Sequence, residues 1–205
     1  MHILDNHLLG IIILLLFSLQ GLVMLFSPGS LRLQKPEAGG ISLIYNLLNL
    51  FIILFVTPLV AILLMKNIME PIEFLRIHIT SLWILMIIET LGMILLFVGN
   101  ILLYWSRIIL KRSFRLGGVA PRSEDRLVTS GPYRWIRHPM YTSILLMSLG
   151  LTLLIQSAPI LLLFIMLTVF VILLIPFEDT QLQKSYGLIF SKYRQKVKAL
   201  VPYIY

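Results

Sequence analysis

Five long runs of apolar residues decide what this chain can fold into. They cover residues 8–26, 41–65, 77–105, 141–155 and 160–175, and almost no charge interrupts them. A helix needs about 20 mostly apolar residues to cross the hydrocarbon of a bilayer. Inside lipid every backbone N–H and C=O must be satisfied within the protein, which favours helices. The first three runs reach the required length and the last two lie near its lower limit. The expected fold is therefore all-α, a polytopic membrane protein with about five transmembrane helices. Pro58 is expected to kink the second run, and the third is long enough to tilt or to extend past the lipid. Only Gln156-Ser157-Ala158-Pro159 separates the last two runs, which predicts a tight helical hairpin. The composition agrees, with 13% charged residues in 205, against roughly 25% in soluble domains. Mean hydropathy is +0.95. A disordered chain is excluded and a soluble enzyme disfavoured. There is no cysteine, so disulfides, thiolate metal sites and cysteine nucleophiles are excluded as well.

The charges predict an orientation. Arg32 and Lys35 lie between the first two runs, eight Lys and Arg lie between the third and fourth, and five more follow the fifth. All fifteen fall on one side of a five-span chain, against Lys66 and Arg76 on the other. Basic loops stay in the cytoplasm, so the N-terminus is expected outside and the C-terminus inside. The net charge of +8 then points to membrane lipids. No zinc, RNP or helix-turn-helix pattern accompanies it, so nucleic acid is not an expected partner, and nothing calls for an obligate protein partner. The first run is not preceded by a basic segment or followed by a small-residue cleavage site, and an uncleaved helix is expected. Composition changes once. Residues 1–106 form a three-helix hydrocarbon region. Residues 107–205 mix charge, glycine and aromatics in a basic loop with a hinge at Gly117-Gly118, the hairpin and a tail. Together they are expected to make one integrated domain with its chemistry in the second half.

Two segments carry that chemistry. Ser130-Gly131-Pro132 is a turn, and His138-Pro139 reads as a helix start, since proline suits the first helical turn. The helix that follows presents unpaired N–H groups and a positive dipole end, which favour a carboxylate or phosphate. Arg134 and Arg137 add charge beside it. A plainer reading makes Tyr133, Trp135 and Tyr141 an interfacial aromatic belt, with the arginines on lipid phosphates. The second segment is Glu178-Asp179 at the end of the fifth run. Leu182, Tyr186, Phe190, Tyr193 and Val197 follow at helical spacing, an amphipathic helix bent near Gly187 and ending at Val201-Pro202. It lies on the same side as His138, so the two segments are expected to converge on one pocket open to water and lipid.

Arg137-His138-Pro139-Met140-Tyr141, preceded by Leu127-Val128-Thr129-Ser130-Gly131-Pro132-Tyr133, resembles the isoprenylcysteine carboxyl methyltransferase family and its bacterial relatives. The tail, with its acidic pair, aromatic-Gly step and final Val-Pro, resembles it too. The likeness covers roughly residues 126–202. It implies a membrane-embedded methyltransferase that uses S-adenosyl-methionine, bound between the last two spans and the tail. The implied cofactor contacts are Asp125, Arg126, Leu127 and Val128, then Tyr133, then His138, Pro139, Met140 and Tyr141, and the acid Glu178. Family members usually have His at the position of Asp125. They also carry an Arg one turn before the acid, assigned to the substrate carboxylate, where this chain has Leu174.

Methyl transfer from a sulfonium is an in-line displacement that depends on positioning and requires no metal. The cofactor's carboxylate wants N–H donors or a cation, here the start of the fourth span with Arg137. Its ammonium wants an acid, here Glu178. Its adenine wants an apolar wall, here Leu127, Val128, Tyr133 and Tyr141. The expected catalytic set is His138, Glu178 and Arg137, with His138 or Asp179 as proton sink for a neutral amine or thiol. With Leu174 in place of the Arg, amine, thiol and other lipophilic acceptors stand beside a prenylcysteine carboxylate unless Arg137 or Arg126 supplies the cation, and an Arg at 174 would restore it. Two other readings exist. A small transporter or channel would use Glu89, an acid inside the third span, and a sterol-reductase-like enzyme would bind NADPH. His2, His7 and His78 are too scattered for a metal site.

Overall fold

The computed structural model describes residues 5–26, 57–66, 77–110 and 125–202, together with Phe51 and Phe55. Six helices occupy them: α1 (Asn6–Phe26), α2 (Thr57–Met65), α3 (Leu82–Leu110), α4 (Pro139–Ile155), α5 (Ala158–Tyr186) and α6 (Leu188–Lys196), with a 3₁₀ turn at Gly131–Arg134. Among the described residues there is no strand, only an isolated parallel bridge between Ile136 and Lys198.

The faces of α3 show what solvent it was made for. Leu85, Glu89, Gly92, Leu96, Gly99 and Leu103 are buried at spacings of three and four. On the opposite side Ile87, Ile94, Ile101 and Ile108, seven apart, are exposed, as is Trp83. A helix apolar all round that buries one stripe belongs in lipid. At 29 residues it is about 44 Å long, more than the roughly 30 Å of hydrocarbon. α5 is equally long, with exposed Leu162, Met166, Val169 and Leu173. These two helices are long and apolar enough to cross a membrane, while Asn6–Gly21 and Pro139–Ile155 are shorter apolar segments.

Small residues bring α3 and α4 together, in the manner of membrane helices. A Cβ at Gly99 would stand 2.6 Å from Met147 Cγ and 2.8 Å from the Ser143 carbonyl oxygen. One at Gly150 would stand 2.7 Å from the Gly92 oxygen. The backbones touch, and Leu96, Leu103, Met147 and Leu154 close the core beside them. α1 and α2 pair by the same device at Gly10 against Ala61 and Met65. α5 lies across α4 through Val171, Leu174 and Ile175, which share a cluster with Tyr141 and the tail residues Ala199 and Leu200.

Several boundaries differ from those expected. Residues 77–81 precede α3 as non-helical chain, with the Ile77 N–H on the Gln156 carbonyl (2.8 Å), and the first helical bond runs from Leu85 N–H to the Ser81 carbonyl (3.0 Å). The third helix is therefore displaced five residues along the chain, because a serine favours the cap rather than the interior. Pro58 stands in the first turn of α2, where a missing N–H costs nothing. The rest of that run, apart from Phe51 and Phe55, lies outside the described residues, as does Gly117-Gly118. The hairpin is present, with Gln156 in the left-handed region at φ 53° closing α4. α5 does not stop at 175 but continues eleven residues to Tyr186, through Pro176. Leu182 and Tyr186 thus belong to α5, and the amphipathic tail helix is only α6. The break falls at Gly187, whose φ of 54° with ψ of −127° suits glycine alone.

The α3–α4 contact yields a direct test. Gly99→Leu is expected to lower stability by at least about 2 kcal/mol through overpacking against backbone. Gly21→Ala, with nothing within 4 Å of its added carbon, should be neutral or slightly stabilising. Unfolding midpoints in mixed detergent micelles compare the two.

Candidate functional site

The site is assembled where three chain segments meet at one end of the bundle. The turn at Gly131 (φ 59°) requires glycine twice over, since a Cβ there would also stand 2.8 Å from Ile109. It seats the following segment on α3, with Trp135 edge-on to Trp105 at 5.7 Å. Residues 136–138 then pair with the tail. The Arg137 N–H donates to the Lys198 carbonyl (2.8 Å) and the His138 N–H to that of Ala199 (3.0 Å). Thr142 Oγ1 donates to the Leu200 carbonyl (2.8 Å). His138 is the residue before α4 and Pro139 opens it.

The end of α5 supplies the acids. Neighbours on a helix diverge by about 100°, so Glu178 and Asp179 have different fates. Asp179 points inward and is 2% exposed. Its Oδ1 lies 2.9 Å from His138 Nε2. Its Oδ2 accepts from the Arg137 guanidinium at 2.8 Å and lies 3.6 Å from Arg194 Nε. Arg137 also donates to the Val197 carbonyl. Glu178 sits at the rim with 26% of its side chain exposed, and its Oε2 lies 3.5 Å from His138 Nδ1. That oxygen is buried and accepts no hydrogen bond. The imidazole is stacked on the ring of Tyr141 at 5.7 Å and 25°.

Two phenols complete the wall. Tyr133 is buried, and the Tyr193 hydroxyl donates to its carbonyl at 2.6 Å. Burial raises the Tyr133 phenol far above its ordinary pKa, and the charge of Glu178 and the nearby Tyr193 raise it further. Burial also raises Tyr193, with Arg137 opposing and Asp179 reinforcing the shift. Both therefore remain protonated hydroxyls at neutral pH.

Of the residues singled out in the sequence, Tyr133, Arg137, His138, Pro139, Tyr141, Glu178 and Asp179 are brought to this one end. Met140 packs against the α3–α4 core instead. Asp125–Val128 approach as non-helical chain, Arg126 exposed and Asp125, Leu127 and Val128 half-buried. Two expectations change. Arg137, expected to partner a cofactor carboxylate, turns its guanidinium to Asp179 and the Val197 carbonyl. At the start of α4, the N–H groups of Arg137 and His138 are taken by the Lys198 and Ala199 carbonyls of the tail. Leu174 is 3% exposed inside the α4–α5–tail cluster, so an Arg there would be buried among apolar side chains rather than offered to a substrate. Glu89, 2% exposed on α3, lies three turns or more from this end.

Sequence reasoning missed Arg194, Tyr193 and the carbonyl of Val197 as parts of the site. All three reach it through the folding back of α6, and their only signal was the helical spacing of the tail.

Residues 87–188, about half of the chain, match the phospholipid methyltransferase family. Protein-S-isoprenylcysteine O-methyltransferase B of Arabidopsis thaliana is 29% identical over 119 residues, which are 57% of this chain and 60% of that protein. Among solved structures, the eukaryotic intramembrane Ras methyltransferase, isoprenylcysteine carboxyl methyltransferase, is similar with a TM-score of 0.50 and 18% identity, over 85% of this chain and 56% of that one. This chain thus spans less than two thirds of the length of either relative. At 18% identity the likeness to the solved structure is one of fold.

Two substitutions test the construction of this end. Asp179→Ala leaves Arg137 and His138 facing a buried gap and is expected to cost about 3–5 kcal/mol, as when one partner of a buried ion pair is removed. Release of the tail to limited proteolysis at Lys196 and Lys198 is the sensitive readout. Leu174→Arg should lower the thermal midpoint, because the charge is buried without a partner.

Proposed function

We propose that the chain belongs to the isoprenylcysteine carboxyl methyltransferase-like family and is an integral-membrane methyltransferase that uses S-adenosyl-methionine on a lipophilic acceptor. The observation that carries the proposal is the approach of His138 to Glu178, 3.5 Å apart although 40 positions separate them in sequence. It supports a single pocket bounded by the start of α4, the end of α5 and the tail.

The residues present fit that cofactor. The buried Glu178 Oε2, which accepts no hydrogen bond, suits its ammonium group. The positive dipole end at the start of α4 suits its carboxylate. Tyr133 and Tyr141, with Leu127 and Val128, suit adenine as apolar and aromatic surface. When bound, S-adenosyl-methionine supplies an electrophilic methyl group on a sulfonium sulfur. The protein's share is orientation. Asp179 holds Arg137 and His138 in place, the tail pairing shuts one side against water, and the apolar flanks of α3 and α5 leave a way in from the bilayer.

In this reading five spans cross the membrane, with the N-terminus outside and both the site and the C-terminus cytoplasmic. The basic residues of the loop after α3 and of the tail then meet the phosphates of the inner leaflet. The acceptor is a lipidated or otherwise lipophilic small molecule drawn from that leaflet.

Titration calorimetry with S-adenosyl-homocysteine tests the assignment. Glu178→Ala should abolish measurable binding, whereas Asp5→Ala, at an exposed residue just before α1, should bind as the parent does. Equal affinity in the two variants would remove Glu178 from the site. Saturating S-adenosyl-homocysteine should also raise the melting temperature, as any ligand of the folded state does, and NADPH should not.

A further inference from the structure

We propose that α6 is a two-sided clasp. Its outer stripe docks on anionic phospholipid of the leaflet beside the site, and its inner face, held in place by that docking, closes the pocket on the donor. The proposal rests on the methyltransferase reading and adds a regulation to it, in which the charge of the surrounding lipid sets the affinity of the site for its cofactor.

The outer stripe follows from helical spacing. Leu188, Lys192 and Lys196 stand four residues apart on α6, and Ile189 precedes the two lysines by three and seven, so all four share one side. Leu188 is 79% exposed and Ile189 67%, and both lysines are exposed. Phe190 and Tyr193 lie on the other side, with Phe190 fully buried. At nine residues α6 is about 14 Å long, too short to cross a bilayer. Aliphatic side chains and lysines together on the free side of a short helix describe one that lies in the membrane interface. The aliphatic groups enter the boundary of the acyl chains, and the lysines reach up to the phosphates. Charge selects the lipid. Residues 180–205 hold Lys184, Lys192, Arg194, Lys196 and Lys198 and no Asp or Glu. Zwitterionic lipid offers no net charge to such a segment, whereas anionic lipid does. α5, longer than the hydrocarbon is thick, is accommodated by tilting, which brings its end and α6 after it toward the headgroups.

The inner face carries the coupling. The Tyr193 hydroxyl donates to the Tyr133 carbonyl at 2.6 Å and so holds a wall assigned above to adenine. Arg194 Nε lies 3.6 Å from Asp179. The corner between α5 and α6 is braced, since Gln183 Nε2 donates to the Gly187 carbonyl (2.9 Å) and Ser191 Oγ donates to Gln183 Oε1 (2.9 Å). α6 therefore moves as one piece, and what holds its outer stripe also holds Tyr193 and Arg194. From inside, the electrostatic hold is weak. The Arg194 side chain is more than half exposed, and an ion pair of that kind contributes little. Asp179 is already paired with Arg137 at 2.8 Å, so closing α6 brings a second guanidinium to one carboxylate. The positive charge gathered there opposes closure, and an anionic surface against the outer stripe offsets it.

The test uses the full chain in nanodiscs of phosphatidylcholine, alone or mixed with phosphatidylglycerol. The chain has no cysteine, so Ile189→Cys carries a single environment-sensitive fluorophore on the outer stripe. In the anionic discs that label should pass into an apolar environment. S-adenosyl-homocysteine should bind the parent protein at least about five-fold more tightly there than in neutral discs, the weight of a single lysine near an anionic surface. Added salt should erase the difference. The double variant Lys192→Gln, Lys196→Gln should bind as the parent does in neutral discs and lose the gain in anionic ones. Equal affinity of the parent in the two compositions overturns the proposal, as does a gain that survives in the double variant. A label that becomes apolar in detergent as protein concentration rises makes a second copy the occupant of the stripe and overturns the lipid assignment. Absence of S-adenosyl-homocysteine binding in every disc defeats the methyltransferase reading itself, whereas binding that ignores the lipid defeats only the clasp.

Discussion

One buried carboxylate holds the functional end of this protein together. Asp179 contacts His138 and Arg137 from the segment before α4 and Arg194 from α6, while itself standing on α5. Three parts of the chain that are distant in sequence are thereby tied at a single point with almost no access to water. A carboxylate is tolerated there because each oxygen has a partner and two guanidinium groups offset its charge. The parallel pairing of residues 136–138 with the tail depends on the same anchor, since Arg137 donates both to Asp179 and to the Val197 carbonyl.

The remainder of the fold sets this end at a defined depth. The glycines of α3 and α4 permit contact between backbones, which leaves no slack for one helix to slide along the other. α4 therefore starts at a fixed height relative to α3, and His138 with it. α5 runs past its apolar stretch to Tyr186 and carries Glu178 and Asp179 to the same level. The site ends up where the apolar stretch of α5 gives way to the charged residues Glu178, Asp179 and Lys184. The matched family region, residues 87–188, takes in α3, α4 and α5 and so the acids and the histidine, but stops short of the tail residues that lock them.

How much was legible in the sequence follows from how local each feature is. The apolar runs were legible because lipid imposes a composition on every residue of a span, and the hairpin at residues 156–159 because polar and proline residues interrupt it. Gly131 and Gly187 marked their bends because each needs a backbone conformation that glycine alone adopts easily. The start of α3 was misplaced by five residues because Ile77 and Ile79 are as apolar as the helix, and only the capping role of Ser81 distinguishes them. The extension of α5 was hidden because Pro176 looks like a stop, yet the helix passes through it.

Chain composition and motif spacing therefore determined that this is a helical membrane protein and singled out residues 127–141 and 176–202 as the candidate site segments, because hydrophobicity, proline and glycine act through their immediate neighbours. Tertiary structure alone decided which of two adjacent acids is buried, that Arg137 serves Asp179 instead of facing outward, and that Leu174 is core. Those outcomes depend on a rotation of about 100° between helical neighbours and on where a tail nearly 60 residues away folds back, and neither is written in any short stretch of sequence.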